Sequence, residues 1–259
     1  MVPKIPSWRN SSSNDSSPFA CITAIRADVP VPHGDRSMAP VQVSGRSQSN
    51  LPVDMITALR TPAGSHERYL VVELFGRNSG ETSLVSALLA SVDRALISEV
   101  PFDLERVIGL LAQDRADNPS NYAVLTVSEG AHPIGGEIVQ GGAADAYGHQ
   151  KLGGIGRQVG DFIKNRTGSG IVYQNLGYLM RAGPPDTLDR MVATSFARIA
   201  ADLAGRGESG HMVAVQGGKY VLESLSSVGT RKVNVDRYYD VDQYRPKLDS
   251  VLGLPMFLE

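Results

Sequence analysis

A chain of 259 residues with 25 basic and 27 acidic side chains has a formal net charge of only −2, which argues against a global field that would draw nucleic acid or an anionic membrane. Its single cysteine, Cys21, rules out an intrachain disulfide and suits a reducing compartment. No apolar run approaches membrane-spanning length and the N-terminus has no continuous signal-peptide core, so a cytoplasmic protein is expected.

Residues 1–52 hold 7 of the 15 prolines, 2 of the 27 glycines and ten serines. No helical or alternating period runs through them, and Asp15, Asp28 and Asp35 interrupt any basic amphipathic face. A disordered N-terminal segment is expected there, with one folded domain over 53–259. The run 69–75, apolar apart from Glu73, predicts a strand buried on both faces. A helix over 79–92 follows, with Ser79 as its N-cap and Leu84, Val85, Leu88, Leu89 and Val92 on one face. A short strand over 95–97 ends at Glu99, and Asp103 caps a helix carrying Leu104, Val107, Ile108 and Leu111 until Asn118-Pro119 stops it. The next strand spans 122–127. After a glycine-rich loop, Ile155, Val159, Phe162 and Ile163 mark a helix, 170–174 a strand, Leu188 to Leu203 the longest helix, and 211–215 a further strand. Repeated strand–helix units of this length predict an α/β fold: a doubly wound, mostly parallel sheet with helices on both faces.

Parallel strands would bring Gly76-Arg77, Glu99, Glu129-Gly130 and Gln174-Asn175 to one edge of that sheet, where ligands of such sheets bind. Gly76 lets the backbone come close, and Arg77 offers a planar fork of donors for phosphate or carboxylate. The plainer alternative is an ordinary strand–turn–helix junction with a solvated arginine, and Glu99 is read as a surface strand-end carboxylate. Other chemistries find no support. The five histidines are scattered without metal-ligand spacing, there is no Gly-x₄-Gly-Lys-Ser/Thr loop, and Gly154-Ile-Gly156 follows a loop where a dinucleotide fingerprint needs a strand. A Cys/His nucleophile pair and a Gly-x-Ser-x-Gly elbow are also missing.

Four separated stretches resemble the 6-phosphofructokinase family in order and spacing. They are Arg60-Thr-Pro-Ala-Gly-Ser65-His66-Glu67-Arg68, Val72-Glu73-Leu-Phe-Gly-Arg77-Asn-Ser-Gly80, Ser128-Glu129-Gly130, and Leu176-Gly177-Tyr178-Leu-Met-Arg181-Ala-Gly183 with Asp189-Arg190 after it. The branch with Phe-Gly-Arg-Asn-Ser-Gly-Glu-Thr includes both ATP-using and pyrophosphate-using members. The resemblance implies phosphorylation of fructose 6-phosphate at its 1-hydroxyl, with Mg²⁺ and either ATP or pyrophosphate. By the same resemblance Arg181 would bind the sugar 6-phosphate, Glu129 would accept sugar hydroxyls, and Phe75-Gly76-Arg77 would line the sugar and the transferred phosphoryl group. Arg68 would reach a neighbouring subunit's sugar phosphate, which implies a homo-oligomer, a dimer or tetramer, or pairing with a full-length relative. Two positions depart from the family pattern: Val172 stands where many members carry an arginine, and Tyr178 where they carry a histidine. Tyr178 can still donate a hydrogen bond to phosphate, whereas Val172 cannot. Lys151, Lys219 and Arg245 are read as surface charges. The family's Gly-Gly-Asp donor loop and Thr-Ile-Asp base motif do not occur in this sequence. The expectation is therefore a sugar-phosphate-binding half that does not turn over alone, with a non-catalytic binding or interaction module, or a gene fragment, as the alternatives.

Overall fold

The computed structural model describes residues 23–24, 45–136, 140–141, 151–152, 154–182, 185, 187–216, 218–227 and 232–247, with backbone alone at 23–24, 45–50, 140–141, 151–152 and 181. In chain order the elements are β1 (Thr23–Ala24), α1 (Gly45–Ser65), β2 (Tyr69–Leu74), α2 (Glu81–Leu89), β3 (Arg94–Leu96), α3 (Leu104–Asp117), β4 (Ala123–Ser128), β5 (Gln140–Gly141), β6 (Lys151–Leu152), α4 (Ile155–Thr167) and β7 (Ile171–Asn175). A 3₁₀ turn over Gly177–Arg181 follows, then α5 (Thr187–Gly205), β8 (His211–Gln216), β9 (Lys219–Ser224), α6 (Val235–Tyr238), β10 (Tyr239–Asp240) and β11 (Arg245–Pro246).

The central sheet runs β3-β4-β2-β7 and every pairing in it is parallel, with Leu70 of β2 beside Val124 on one side and Val172 on the other. All six residues of β2 and of β4 are buried, which is why their sequences show no polar alternation. Successive side chains of β2 enter different cores. Tyr69 and Val71 pack with Val107, Ile108 and Leu111 of α3 and with Ile155, Val159 and Ile163 of α4, whereas Leu70, Val72 and Leu74 pack with Ile56 and Ala63 of α1 and Ala87 of α2. Helices thus cover both faces, as the strand–helix alternation predicts.

Three local expectations need correction. First, α1 begins upstream of the boundary expected at residue 53 and carries Pro52 and Pro62 within it. Its serines and prolines hide the helix, which depends on packing: Leu51, Val53, Met55 and Leu59 lie half-buried against the second core. The remainder of 1–52, apart from β1, lies outside the described residues. Second, α2 ends at Leu89 and buries Ser83, Leu84, Ser86 and Ala87, leaving Leu88 and Leu89 39% and 60% exposed. Small side chains bring this helix close to the sheet, where the Ser83 hydroxyl donates to Thr126 Oγ1 at 3.1 Å. Third, among the described residues α1 with 21 residues, not α5 with 19, is the longest helix.

The edge strand β3 is closed by the C-terminal segment. Ala95 N–H donates to the Tyr244 carbonyl at 2.7 Å, and the Tyr239 hydroxyl donates to the Ala95 carbonyl at 2.6 Å. Arg94 sits beside them, 5% exposed, bonded twice to Asp114 and twice to Gln243. Covering an edge in this way removes a template for unwanted strand pairing. Apart from this body, α5 packs Phe196, Ala200 and Leu203 on Val213 of β8, which pairs antiparallel with β1 and β9. Among the described residues no helix is long and apolar enough to cross a membrane.

Candidate functional site

Three strands of the sheet end in turns that are fastened to one another. After β2 the chain turns at Gly76, whose φ of +152° is a conformation L side chains rarely adopt. The Gly76 carbonyl accepts from Ser98 Oγ at 2.6 Å, Ser128 Oγ at 3.0 Å and Gly130 N–H at 3.1 Å, gathering the ends of β2, β3 and β4 on one oxygen. Glu129 N–H donates to the Leu74 carbonyl at 3.0 Å, and Gly76 N–H points to Glu129 Oε1 at 3.5 Å. A methyl group on Gly76 would strike Ser128 Oγ, and one on Gly130 would strike the Arg77 carbonyl oxygen, so both glycines are dictated by close backbone approach.

The fourth strand joins through its own turn. Leu176 N–H donates to the Glu73 carbonyl at 3.0 Å, and Phe75 N–H points to Met180 Sδ at 3.2 Å. The Phe75 ring meets that of Tyr178 at 5.9 Å between centroids, tilted by 60°. Tyr178 itself is 77% exposed, a ring presented to solvent over the end of the sheet. Arg77 and Glu129 are half-buried. The edge therefore carries an arginine, a glutamate and a tyrosine on adjoining turns. A guanidinium grips phosphate in a forked geometry, and a carboxylate takes hydroxyl donors, which is the donor and acceptor set for a small polyhydroxylated anion.

A family model described as phosphofructokinase matches residues 46–204. The chain belongs to the phosphofructokinase family. It is 34% identical over 198 residues to a pyrophosphate–fructose 6-phosphate 1-phosphotransferase of Amycolatopsis methanolica, covering 75% of this chain and 58% of that one. An ATP-dependent 6-phosphofructokinase of Mycobacterium leprae is 35% identical over 165 residues, covering 63% of this chain and 48% of that one. The chain thus spans about half the length of these relatives. Its fold is similar to the pyrophosphate-dependent phosphofructokinases of Marinobacter aquaeolei, with a TM-score of 0.61 at 18% identity over 78% of this chain and 52% of that one, and Nitrosospira multiformis, with a TM-score of 0.62 at 17% identity over 82% and 59%.

Of the residues that the phosphofructokinase resemblance singles out, Phe75, Gly76, Arg77, Glu129 and Tyr178 come together at this edge. Arg181 closes the 3₁₀ turn that carries Tyr178 and Met180, while its side chain lies outside what is described. Arg68 does not join them. It precedes β2 at the amino end, opposite the site, with its side chain lying along Gly170. Val172 is a half-buried member of β7, packed on the second core. Lys219 and Arg245 are exposed, and the Lys151 side chain and most of the glycine-rich loop lie outside the described residues.

Glu99 is not a solvated strand-end carboxylate. Its two oxygens accept Gly80 N–H at 3.1 and 2.9 Å, and Oε1 also accepts Val233 N–H at 2.9 Å. It supplies the capping acceptor at the start of α2, where Gly80 has no side chain to give and Ser79 reaches only Glu81 N–H at 3.4 Å. The sequence reading gave no role to Ser128 and Glu73, although both lie in its motifs, and it passed over Ser98. For Glu73 a signal was there: a carboxylate inside a strand buried on both faces is rare unless it is partnered.

Among the described residues no three His, Cys, Asp or Glu side chains gather as a metal-binding group. Glu99 and Glu73 spend their oxygens on backbone N–H groups. These two carboxylates are therefore not placed to act as ligands for the Mg²⁺ that the family resemblance implies.

Proposed function

We propose that this chain carries the fructose 6-phosphate-binding part of a phosphofructokinase, the reaction being transfer of a phosphoryl group from ATP or pyrophosphate to the 1-hydroxyl of that sugar. The observation that carries the reading is the fastening of Phe75-Gly76-Arg77 to Glu129 through the Leu74 and Gly76 carbonyls, at the carboxyl ends of parallel strands. Glu129 accepts sugar hydroxyls, Arg77 faces the transferred phosphoryl group, and Arg181 with Tyr178 holds the 6-phosphate. Both relatives named above act on fructose 6-phosphate or are 6-phosphofructokinases by name, one with pyrophosphate and the other with ATP. Arg68, at the far end of β2 from its own site, serves the site of a neighbouring copy, which makes the working unit a homo-oligomer.

Titration calorimetry with fructose 6-phosphate tests the sugar site. Arg181→Ala is expected to weaken binding by about 1.5–3 kcal/mol, the range for a hydrogen bond to a charged group. Glu129→Gln should weaken binding of the sugar phosphate while leaving inorganic phosphate nearly unaffected, because the amide puts a donor where hydroxyls donate. Failure of the folded wild-type chain to bind fructose 6-phosphate would remove the basis of both expectations.

Turnover is a separate expectation. Phosphoryl transfer is catalysed mainly by positioning and charge neutralisation of the donor, and the family's donor-loop and base motifs do not occur in this sequence. The isolated 259-residue chain is expected to hold the sugar without phosphorylating it. A coupled assay with ATP or pyrophosphate that returned about 1–100 turnovers per second would overturn this.

A further inference from the structure

Glu73 is 1% exposed, yet it sits near the carboxyl end of an otherwise apolar strand. Its carboxylate is fully engaged. Oε1 accepts Gly154 N–H at 2.7 Å, and Oε2 accepts Gly156 N–H at 3.0 Å and the Tyr173 hydroxyl at 2.8 Å. Gly154 and Gly156 open α4, whose N-cap glycine has φ of +96° and offers no side-chain acceptor. The first-turn N–H groups of that helix therefore find their acceptor on the neighbouring strand, and the negative charge meets the positive end of the helix dipole. Gly156 permits this contact, since a Cβ there would stand 2.9 Å from Glu73 Cβ and 3.2 Å from Tyr173 Cε2. Burial and the Glu73 carboxylate push the Tyr173 phenol up to about 12, so it remains a donor at neutral pH.

The main chain of the same residue holds another part of the site. The Glu73 carbonyl accepts Leu176 N–H at 3.0 Å, at the entry to the turn bearing Tyr178, Met180 and Arg181. Two residues on, the strand delivers Phe75 and Gly76. One residue thus joins the glycine-bounded start of α4, the Tyr178 turn and the Phe75-Gly76-Arg77 turn.

We propose that Glu73 is a positioning residue for the sugar-phosphate site, its carboxylate holding the first turn of α4 against β2 and so fixing the surroundings of Phe75 and Tyr178 without touching the sugar. This inference rests on the sugar-phosphate reading for what is positioned, whereas the latch itself does not. Glutamine at 73 has one oxygen and one NH₂ group. The Tyr173 hydroxyl can turn to accept from that NH₂, but Gly154 and Gly156 N–H can only donate, so one of them loses its acceptor.

The experiment compares wild type, Glu73→Gln, Tyr173→Phe and, as a control on the exposed face of α4, Gln158→Ala. Amide hydrogen exchange reads the latch and calorimetry reads fructose 6-phosphate affinity. In Glu73→Gln the amides at 154 and 156 should exchange about tenfold faster, with amides of β2 and β4 unchanged, and the dissociation constant for fructose 6-phosphate should rise about tenfold. Tyr173→Phe should move both readings in the same direction by less, and Gln158→Ala neither. If Glu73→Gln does not fold, Tyr173→Phe carries the test alone, and equal exchange and equal affinity in that variant would overturn the proposal. Unchanged exchange in a folded Glu73→Gln chain would overturn the latch. Faster exchange with unchanged affinity would overturn the positioning role. A wild-type chain that binds no fructose 6-phosphate would instead refute the sugar-phosphate reading, and the latch would then be judged by exchange alone.

Discussion

Asp114→Ala is expected to lower stability by about 3–5 kcal/mol, the usual effect of removing one partner of a buried ion pair and leaving the other charge uncompensated. Arg94 donates to both oxygens of Asp114 at 2.6 Å, and the two side chains are only 6% and 17% exposed. Without Asp114 the guanidinium keeps Gln243 as a partner, but two of its donors face a space that water reaches poorly. The consequence extends beyond the pair, because Gln243 and Tyr244 belong to the segment that closes the edge of β3. At about 2–4 °C per kcal/mol for a chain of this size, the melting temperature should fall by about 6–20 °C. Asp114→Asn retains an acceptor and should cost less. Replacing both Arg94 and Asp114 by apolar residues of similar volume should restore much of the loss, since the pair is indispensable only while one charge remains. A melting temperature within 2 °C of wild type in Asp114→Ala would show that the pair does not hold the edge.

The readable parts of the sequence are those whose cause is local. Strands β2 and β4 are buried on both faces by helices, and that burial is written directly into two mostly apolar runs. Asp103 caps α3 by accepting from Glu105 N–H at 3.0 Å and Arg106 N–H at 3.3 Å, with Val107, Ile108 and Leu111 buried at the spacing the pattern predicts. The turns carrying Arg77 and Glu129 were legible too, because a parallel sheet sends all its strand ends to one edge.

What the sequence hid has its cause far along the chain. Helix α1 contains two prolines and no apolar stripe strong enough to announce it, and it forms because a sheet face waits for Ile56 and Ala63. In α2 a hydrophobic pattern points to Leu88 and Leu89, yet the small residues face inward because close approach to the sheet is worth more there than side-chain bulk. Glu99 caps a helix from the turn after β3 and Glu73 caps one from a neighbouring strand, 19 and 81 residues from the N–H groups they accept. A capping box can be recognised because its partners lie within four residues. A carboxylate that reaches across the fold to a glycine N–H leaves no such spacing.

Gly130→Ala is expected to damage the site and the fold together. The added methyl group would meet the Arg77 carbonyl oxygen, with Ser98 Oγ 2.8 Å away. The obstacle is backbone, not the end of a flexible side chain, so relief requires the turn after β2 and the turn after β4 to separate. That separation would break the Gly130 N–H bond to the Gly76 carbonyl and draw Glu129 away from Gly76 N–H. Overpacking against so rigid a neighbour should cost about 3 kcal/mol or more, which lowers the melting temperature by about 6–12 °C. Fructose 6-phosphate affinity should fall with it, because Arg77 and Glu129 no longer keep their spacing. Gly109→Ala provides the opposite case: this glycine lies on the exposed side of α3 with nothing within 4 Å of an added Cβ, so alanine should stabilise the chain by up to about 1 kcal/mol through helix propensity. If Gly130→Ala melted like wild type and bound the sugar phosphate equally well, the Gly76–Gly130 junction would not be what holds Arg77 beside Glu129.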